Sequence, residues 1–151
     1  MNEATTTHKS ATVRELNAAS SHQRLLQMLS TALGVHIMAQ MEDPLVVELM
    51  LNQDGHLWVD RLGSGRDDTG YKILPADAQR VIELVASSTG SVCSADMPMV
   101  SAELPGSGNR FQGILPPVTS APVFTIRKKA LMVFTLDDYV NKQILTASQK
   151  D

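Results

Sequence analysis

The sequence has 151 residues, of which 43% are hydrophobic and 19% charged, and its formal net charge is −3. These values are typical of a single soluble domain. The sequence contains no run of the ~18 apolar residues that crosses a bilayer. The net charge gives no general attraction to nucleic acid. Cys93 is the only cysteine, which excludes an internal disulfide, and the first twenty residues lack the pattern of a secretory signal, so we expect a cytoplasmic protein.

The amino-terminal part is predicted to contain a flexible segment followed by a helix. Residues 1–20 are rich in Thr, Ser, Asn and Ala and show little apolar periodicity, which favours flexibility. Residues 21–41 carry leucine and isoleucine at helical spacing, which predicts a helix. Ser20 and Gln23 are placed as a capping box at its start, and Asp43-Pro44 is expected to end it.

The next part of the chain is predicted to be a β-hairpin. Residues 46–51 and 57–59 are apolar runs, and the turn residues Asn52-Gln53-Asp54-Gly55 join them. Residues 63–70 are polar and glycine-rich, so we expect a loop there. A short strand is predicted over residues 71–74.

A second helix and three strands are predicted to follow. The helix begins at Pro75, which suits a first helical position, and ends at Gly90. The three strands lie near residues 99–104, 110–115 and 123–127.

The chain is predicted to close with a last helix. Thr135 can accept hydrogen bonds from the first backbone amides of this helix, and Asp137 and Asp138 lie near its positive end. The order of elements is therefore helix, hairpin, helix, antiparallel strands and helix. This order is typical of an α+β fold in which helices pack on an antiparallel sheet.

The stretch LPGSGNRFQGILPP (residues 104–117) has the glycines of a phosphate-binding loop and a basic residue beside them. A P-loop needs a Gly-Lys pair before a helix, and the sequence contains no Gly-Lys pair. The spacing of Gly106, Gly108 and Gly113 also differs from the dinucleotide-binding pattern G-x-G-x-x-G. The stretch instead predicts a hairpin turn that places Arg110 at the start of a strand.

Arg110 and Arg127 are the candidate ligand-binding residues, because each lies at the end of a predicted strand. A guanidinium group can donate two hydrogen bonds to phosphate oxygens, although spacing alone favours an ordinary surface or ion-pair role for either arginine. The four histidines show no metal-ligand spacing, and no nucleophile with a partner base is evident. We therefore predict no catalytic residue and no metal site.

Charge is divided between two parts of the sequence. Residues 41–68 carry an excess of acidic side chains, and residues 99–134 carry an excess of basic side chains. Opposed patches favour head-to-tail contacts between copies or binding of an anion, with solvated surface as the alternative.

Several longer motifs carry a family resemblance. They are Glu42-Asp43-Pro44, ELMLNQDGHLWV (residues 48–59), VSAELP (100–105), RFQGILPP (110–117) and FTIRK (124–128). In this order they resemble the amino-terminal domain of TrbB-type conjugal transfer ATPases, members of the type II and type IV secretion ATPase superfamily. The resemblance extends from about residue 25 to the end of the sequence.

The resemblance implies a PAS-like antiparallel sheet with flanking helices over residues 21–134, and a helix or linker over residues 135–151 that leads to a RecA-like motor domain. It implies a hexameric ring at the cytoplasmic face of the inner membrane, in contact with secretion-apparatus proteins. In the family, ATP and Mg²⁺ are bound between the two domains. By motif position, Arg110 and Arg127 match family arginines that reach the bound phosphates.

The sequence departs from the family pattern because it contains no Walker motif. The chain alone is therefore expected not to hydrolyse ATP, to bind no cofactor tightly and to have no direct contact with nucleic acid. The alternative interpretation is a stand-alone PAS-like adaptor or ligand-sensing module without ATPase activity.

Overall fold

A computed structural model describes residues 3–129 and residue 140. The elements, in chain order, are α1 (Glu3–Glu42), β1 (Val46–Leu51), β2 (His56–Arg61), β3 (Gly65–Lys72), α2 (Pro75–Ser88), β4 (Met99–Glu103), β5 (Arg110–Ile114) and β6 (Val123–Arg127). Among the helices of this described part, none has both the length and the mean hydropathy that crossing a bilayer requires. The helix predicted from Thr135 lies outside the described residues.

Helix α1 is longer than predicted. It begins at Glu3, so the predicted start at residue 21 is wrong, and the capping box does not form: the Ser20 hydroxyl donates to the Asn17 carbonyl, 3.1 Å away, within a continuing helix. The physical reason is that residues 3–20 contain neither glycine nor proline, so no residue interrupts the helix. The flexibility of residues 1–20 stays a prediction.

Gly34 divides α1 into two helical parts. Its φ of 75° and ψ of 168° are not helical, and glycine adopts this positive φ without the steric cost that a Cβ brings. Leu29, Leu33 and Ile37 are nevertheless buried on both sides of the kink, so both parts contribute to one core. The helix ends at Glu42, directly before Asp43-Pro44, as predicted.

The six strands form one sheet in the order β3-β2-β1-β6-β5-β4, with antiparallel neighbours throughout. The predicted hairpin is confirmed as β1 and β2. The predicted loop over residues 63–70 is wrong, because residues 65–72 form β3. The short strand predicted over residues 71–74 overlaps β3 only at residues 71–72. The pattern missed the rest of β3 because this strand lies at the sheet edge and is mostly polar on both faces, whereas the prediction relied on apolar residues.

One face of the sheet, the inner face, packs against both helices. Residues of both helices and of five strands share a single apolar cluster, in which Phe111, Phe124 and Ile126 are almost fully buried. The opposite face, here called the outer face, carries the alternate residues of the same strands. The α+β fold with helices on an antiparallel sheet is confirmed; the description as PAS-like stays a prediction.

Helix α2 and the last three described strands match the sequence interpretation within one or two residues at each end. The close approach of α2 to the sheet depends on Gly113 in β5. A Cβ built at this position would lie 2.8 Å from Cγ1 of Ile82 and 3.0 Å from Cε1 of Phe111. Both neighbours are fully buried, so neither can move freely.

We predict that Gly113→Ala lowers the free energy of unfolding by about 1–2 kcal/mol, because the added methyl group overpacks the contact with Ile82. Urea unfolding followed by circular dichroism measures the change. The control is Ser101→Ala on the exposed outer face, which we expect to change stability by less than about 0.5 kcal/mol. Equal stability of the Gly113 variant and wild type would contradict the close packing described here.

Candidate phosphate-binding site

The glycine-rich stretch forms the hairpin turn between β4 and β5. The backbone amide of Gly108 donates to the Leu104 carbonyl at 2.8 Å, and the Leu104 amide donates to the Asn109 carbonyl at 2.7 Å. Gly106 and Gly108 have positive φ values, as the tight turn requires. The prediction of a turn that places Arg110 at the start of a strand is thus confirmed. The backbone amides of Leu104 and Gly108 make hydrogen bonds within the turn.

The same hairpin holds the end of β6 in place. Asn109 is only 8% exposed, and its side-chain oxygen accepts a hydrogen bond from the Lys129 amide at 3.1 Å. This contact joins the β4–β5 turn to the residues that follow β6. Because it is shielded from water, it restrains the two strands that carry the candidate arginines.

Arg110 and Arg127 lie directly opposite each other on β5 and β6. Their strand neighbours Phe111 and Ile126 point into the core, so both arginines point to the outer face, where both are exposed. Residues in direct antiparallel register have Cβ atoms about 4.5–5.5 Å apart. The structure therefore brings together the two residues that the sequence singled out.

Neither member of the arginine pair has a close carboxylate partner among the side chains that the structure describes in residues 17–129. Across these residues, neither guanidinium lies within 4.0 Å of a carboxylate. Glu48 lies opposite Arg127 and Glu103 lies opposite Arg110, but Glu103 pairs with Lys129 at 3.8 Å. Like charges directly opposite each other destabilise a sheet, so an anion between the guanidinium groups would relieve repulsion.

A polar cluster ties β6 to the end of α1. The Lys128 amide donates to the Val47 carbonyl at 2.9 Å, and the Lys128 ammonium donates to the Asp43 carbonyl. The Asp43 carboxylate accepts hydrogen bonds from Arg61 and, at 2.9 Å, from the Leu45 amide. The residue next to Arg127 is thus fixed through both its backbone and its side chain.

These contacts shift two pKa values. The hydrogen bond from the Leu45 amide lowers the pKa of Asp43 below 3.8; partial burial opposes this shift, and Arg61 reinforces it. Burial lowers the pKa of Lys128, and the nearby Asp43 carboxylate opposes that shift. Sequence reasoning treated Asp43 only as part of a helix stop, because the residues that complete the cluster are far apart in the chain.

The donors on this face suit phosphate oxygens rather than a metal ion. Two guanidinium groups offer paired N–H donors and positive charge. Across the described residues, no group of three or more His, Cys, Asp or Glu side chains could hold a metal ion.

A separate cleft lies on the helical side of the sheet. Its volume is about 940 Å³, and it lies between α1, the start of α2 and the end of β3. Its lining includes Arg24, Lys72 and Arg80 and contains no residue of β5 or β6. The cleft is therefore distinct from the arginine pair.

Two conjugal transfer proteins are similar in sequence to most of this chain. The chain is 43% identical over 129 residues to the conjugal transfer protein TrbB of Rhizobium radiobacter, which covers 85% of this chain and 40% of that protein. It is also 43% identical over 129 residues to the "Probable conjugal transfer protein TrbB" of Sinorhizobium fredii strain NGR234, covering 85% of this chain and 39% of that protein. The resemblance to TrbB-type proteins is confirmed. The chain spans about two fifths of the length of these relatives.

The fold has a solved counterpart. The crystal structure of the VirB11 ATPase from the Brucella suis type IV secretion system, in complex with sulphate, matches with a TM-score of 0.71 and 21% sequence identity. The match covers 86% of this chain and 39% of the VirB11 chain. No family model matches the sequence. The structural match supports the fold, and the TrbB relatives supply the closer sequence relationship.

We predict that Asp43 makes stability depend on acidic pH. Its pKa is lower in the folded state than the ordinary 3.8, so its contribution is present above that value and is lost as the pH falls through the folded-state pKa. Asp43→Asn should therefore flatten the decline in the free energy of unfolding below about pH 4. Urea unfolding at several pH values between about 2.5 and 6 measures this effect.

A companion variant separates the causes of this pH dependence. Arg61→Gln removes the guanidinium but leaves the Leu45 amide in place, so we expect part of the acid dependence to remain. Parallel pH curves for Asp43→Asn and wild type would contradict the assigned role of the Asp43 carboxylate.

Proposed function

We propose that the chain is the amino-terminal, nucleotide-gating and oligomerisation domain of a conjugative-transfer ATPase of the type IV secretion kind. In this proposal Arg110 and Arg127 bind phosphates of ATP that a carboxy-terminal motor domain holds. The observation that carries the proposal is their direct cross-strand register on one exposed face. Two arginines in direct register, without a close carboxylate among the described side chains of residues 17–129, offer N–H donors and positive charge to a multiply charged anion.

The anchored ends of the strands support this role. A residue that stabilises charge on a transferring phosphoryl group must be held in position, because reorientation during reaction is costly. Asn109 binds the Lys129 amide, and Lys128 binds the Asp43 carbonyl, so the residues that adjoin the pair at this end of β5 and β6 are fixed. The exposed side chains of Arg110 and Arg127 can then bind phosphate while their backbone stays in place.

The wider setting belongs to the same proposal. ATP hydrolysis requires Mg²⁺ and a phosphate cradle, which the motor domain supplies. The amino-terminal domain contributes the positive charge of its two arginines. Copies assemble in a hexameric ring in the cytoplasm, peripheral to the inner membrane and in contact with secretion-apparatus proteins. The acidic residues 41–68 and the basic residues 99–134 supply opposed surfaces for contacts between copies.

A second candidate is a stand-alone PAS-like adaptor or ligand-sensing module. The observation that favours it is the cleft of about 940 Å³ between α1, α2 and β3, whose size is in the range of small-molecule sites. In that case the ligand would contact the helical side, and substitutions at Arg110 or Arg127 would leave its binding unchanged.

We predict that Arg127→Ala, in a protein that includes the motor domain, lowers kcat/KM for ATP hydrolysis by about 10- to 1,000-fold, since one charge-stabilising donor is lost. Arg110→Ala should act in the same direction, and Arg127→Lys should retain part of the activity because it keeps the charge but not the paired donors. Steady-state phosphate release measures the effect.

The matched control is Arg66→Ala. Arg66 is an exposed arginine on β3 and pairs with Asp60 at 3.8 Å. Strands β2 and β1 lie between β3 and β6, so the same change in charge occurs at a distance from the arginine pair. Unchanged nucleotide affinity and turnover in both Arg110→Ala and Arg127→Ala would reject the phosphate role and favour the adaptor.

A further inference from the structure

Glu48 lies beside the arginine pair on the outer face. It belongs to β1, where Leu49 and Leu51 point into the core and Glu48 and Met50 take the opposite side. In the sheet register, Glu48 lies directly opposite Arg127 on one side and Asp60 on the other. The side chain is half-buried, so water screens its charge less than that of a fully exposed carboxylate.

Charged residues form one row across all six strands. In sheet order the row is Arg66, Asp60, Glu48, Arg127, Arg110 and Glu103. Two acidic residues therefore lie side by side next to two basic residues, and each like-charged pair is in direct register. Such pairs are unfavourable by themselves, so the opposite charges at the centre of the row stabilise the arrangement.

The acidic residues of this row differ in their other partners. Asp60 pairs with Arg66 at 3.8 Å, and Glu103 pairs with Lys129 at 3.8 Å with its side chain 70% exposed. Among the described side chains of residues 17–129, the Glu48 carboxylate makes no ion pair within 4.0 Å. The opposite charge in direct register with Glu48 is that of Arg127.

We propose that Glu48 sets the phosphate affinity of the arginine pair by competing with the anion for Arg127. When the site is empty, the Glu48 carboxylate attracts the Arg127 guanidinium across the strand pair. When a polyphosphate approaches, the same carboxylate repels it, so both effects weaken binding. This inference rests on the proposed function, since it requires phosphate to bind at Arg110 and Arg127.

The competing charge has a functional consequence. A domain with an uncompensated arginine pair would bind free polyphosphates at any time, including when no motor domain presents a nucleotide. Glu48 reduces this binding and keeps the guanidinium of Arg127 near the position from which it meets phosphate. Glu48 is thus a specificity-determining and positioning residue for the site.

We predict that Glu48→Gln binds inorganic tripolyphosphate about fivefold more tightly than the wild-type chain at low salt, which is the effect of one charge at about 6 Å in a partly screened environment. Tripolyphosphate is titrated into the chain, and the ¹⁵N NMR shifts of the arginine side chains and backbone amides are followed. These shifts measure the affinity for tripolyphosphate and show where it binds. The gain should shrink as salt rises toward 0.5 M.

Three variants serve as controls. Glu48→Asp keeps the charge and should bind within about twofold of wild type. Glu83→Gln makes the same change in net charge on α2, which packs on the inner face, and should leave the affinity unchanged. The double variant Glu48→Gln, Arg127→Ala should not show the gain in tripolyphosphate affinity that Glu48→Gln shows by itself.

The outcomes separate the two proposals. If Glu48→Gln binds as wild type while Arg127→Ala binds more weakly, the inference about Glu48 is overturned and the phosphate role of the arginines stands. If wild type, Glu48→Gln and Arg127→Ala all fail to shift the signals of Arg110 and Arg127, both proposals are overturned. If Glu83→Gln produces the same gain, the effect is one of net charge and the inference about Glu48 is overturned.

Discussion

The antiparallel pairing of β5 with β6 is the constraint on which the candidate site depends. Side chains alternate between the two faces of a strand, so burying Phe111 and Ile126 against the helices forces Arg110 and Arg127 onto the other face. A shift of one residue in either strand would place an arginine in the core, at a large desolvation cost. The hydrophobic packing of the inner face thus fixes the geometry of the charges outside.

The site combines stable anchoring with unfavourable local electrostatics. Its backbone is held by the Asn109 contact and by the Lys128 contact with Asp43, while two like charges face each other in the centre. Such arrangements are typical of functional positions, where surrounding structure maintains a local arrangement that is not the most stable one. Glu48, in register with Arg127, places one opposite charge beside the pair.

Much of the fold could be predicted from the sequence. The β1–β2 hairpin, helix α2 and the three last described strands followed from apolar runs and from Pro75, Gly90 and the other turn residues. The first part of strand β3, residues 65–70, was missed because a polar edge strand has no apolar alternation and its hydrogen bonds come from β2. The start of α1 was misplaced because a capping pattern can occur inside a helix that continues past it.

The class of fold, the turn at residues 104–109 and the two candidate arginines could be recognised without coordinates, because periodicity and turn chemistry are local properties. The family resemblance, now supported by TrbB relatives, was also a property of the sequence. The position of Arg110 opposite Arg127, and of Glu48 beside Arg127, came from the pairing of distant strands. The register of strands far apart in the chain depends on which faces pack together, and no local pattern records it.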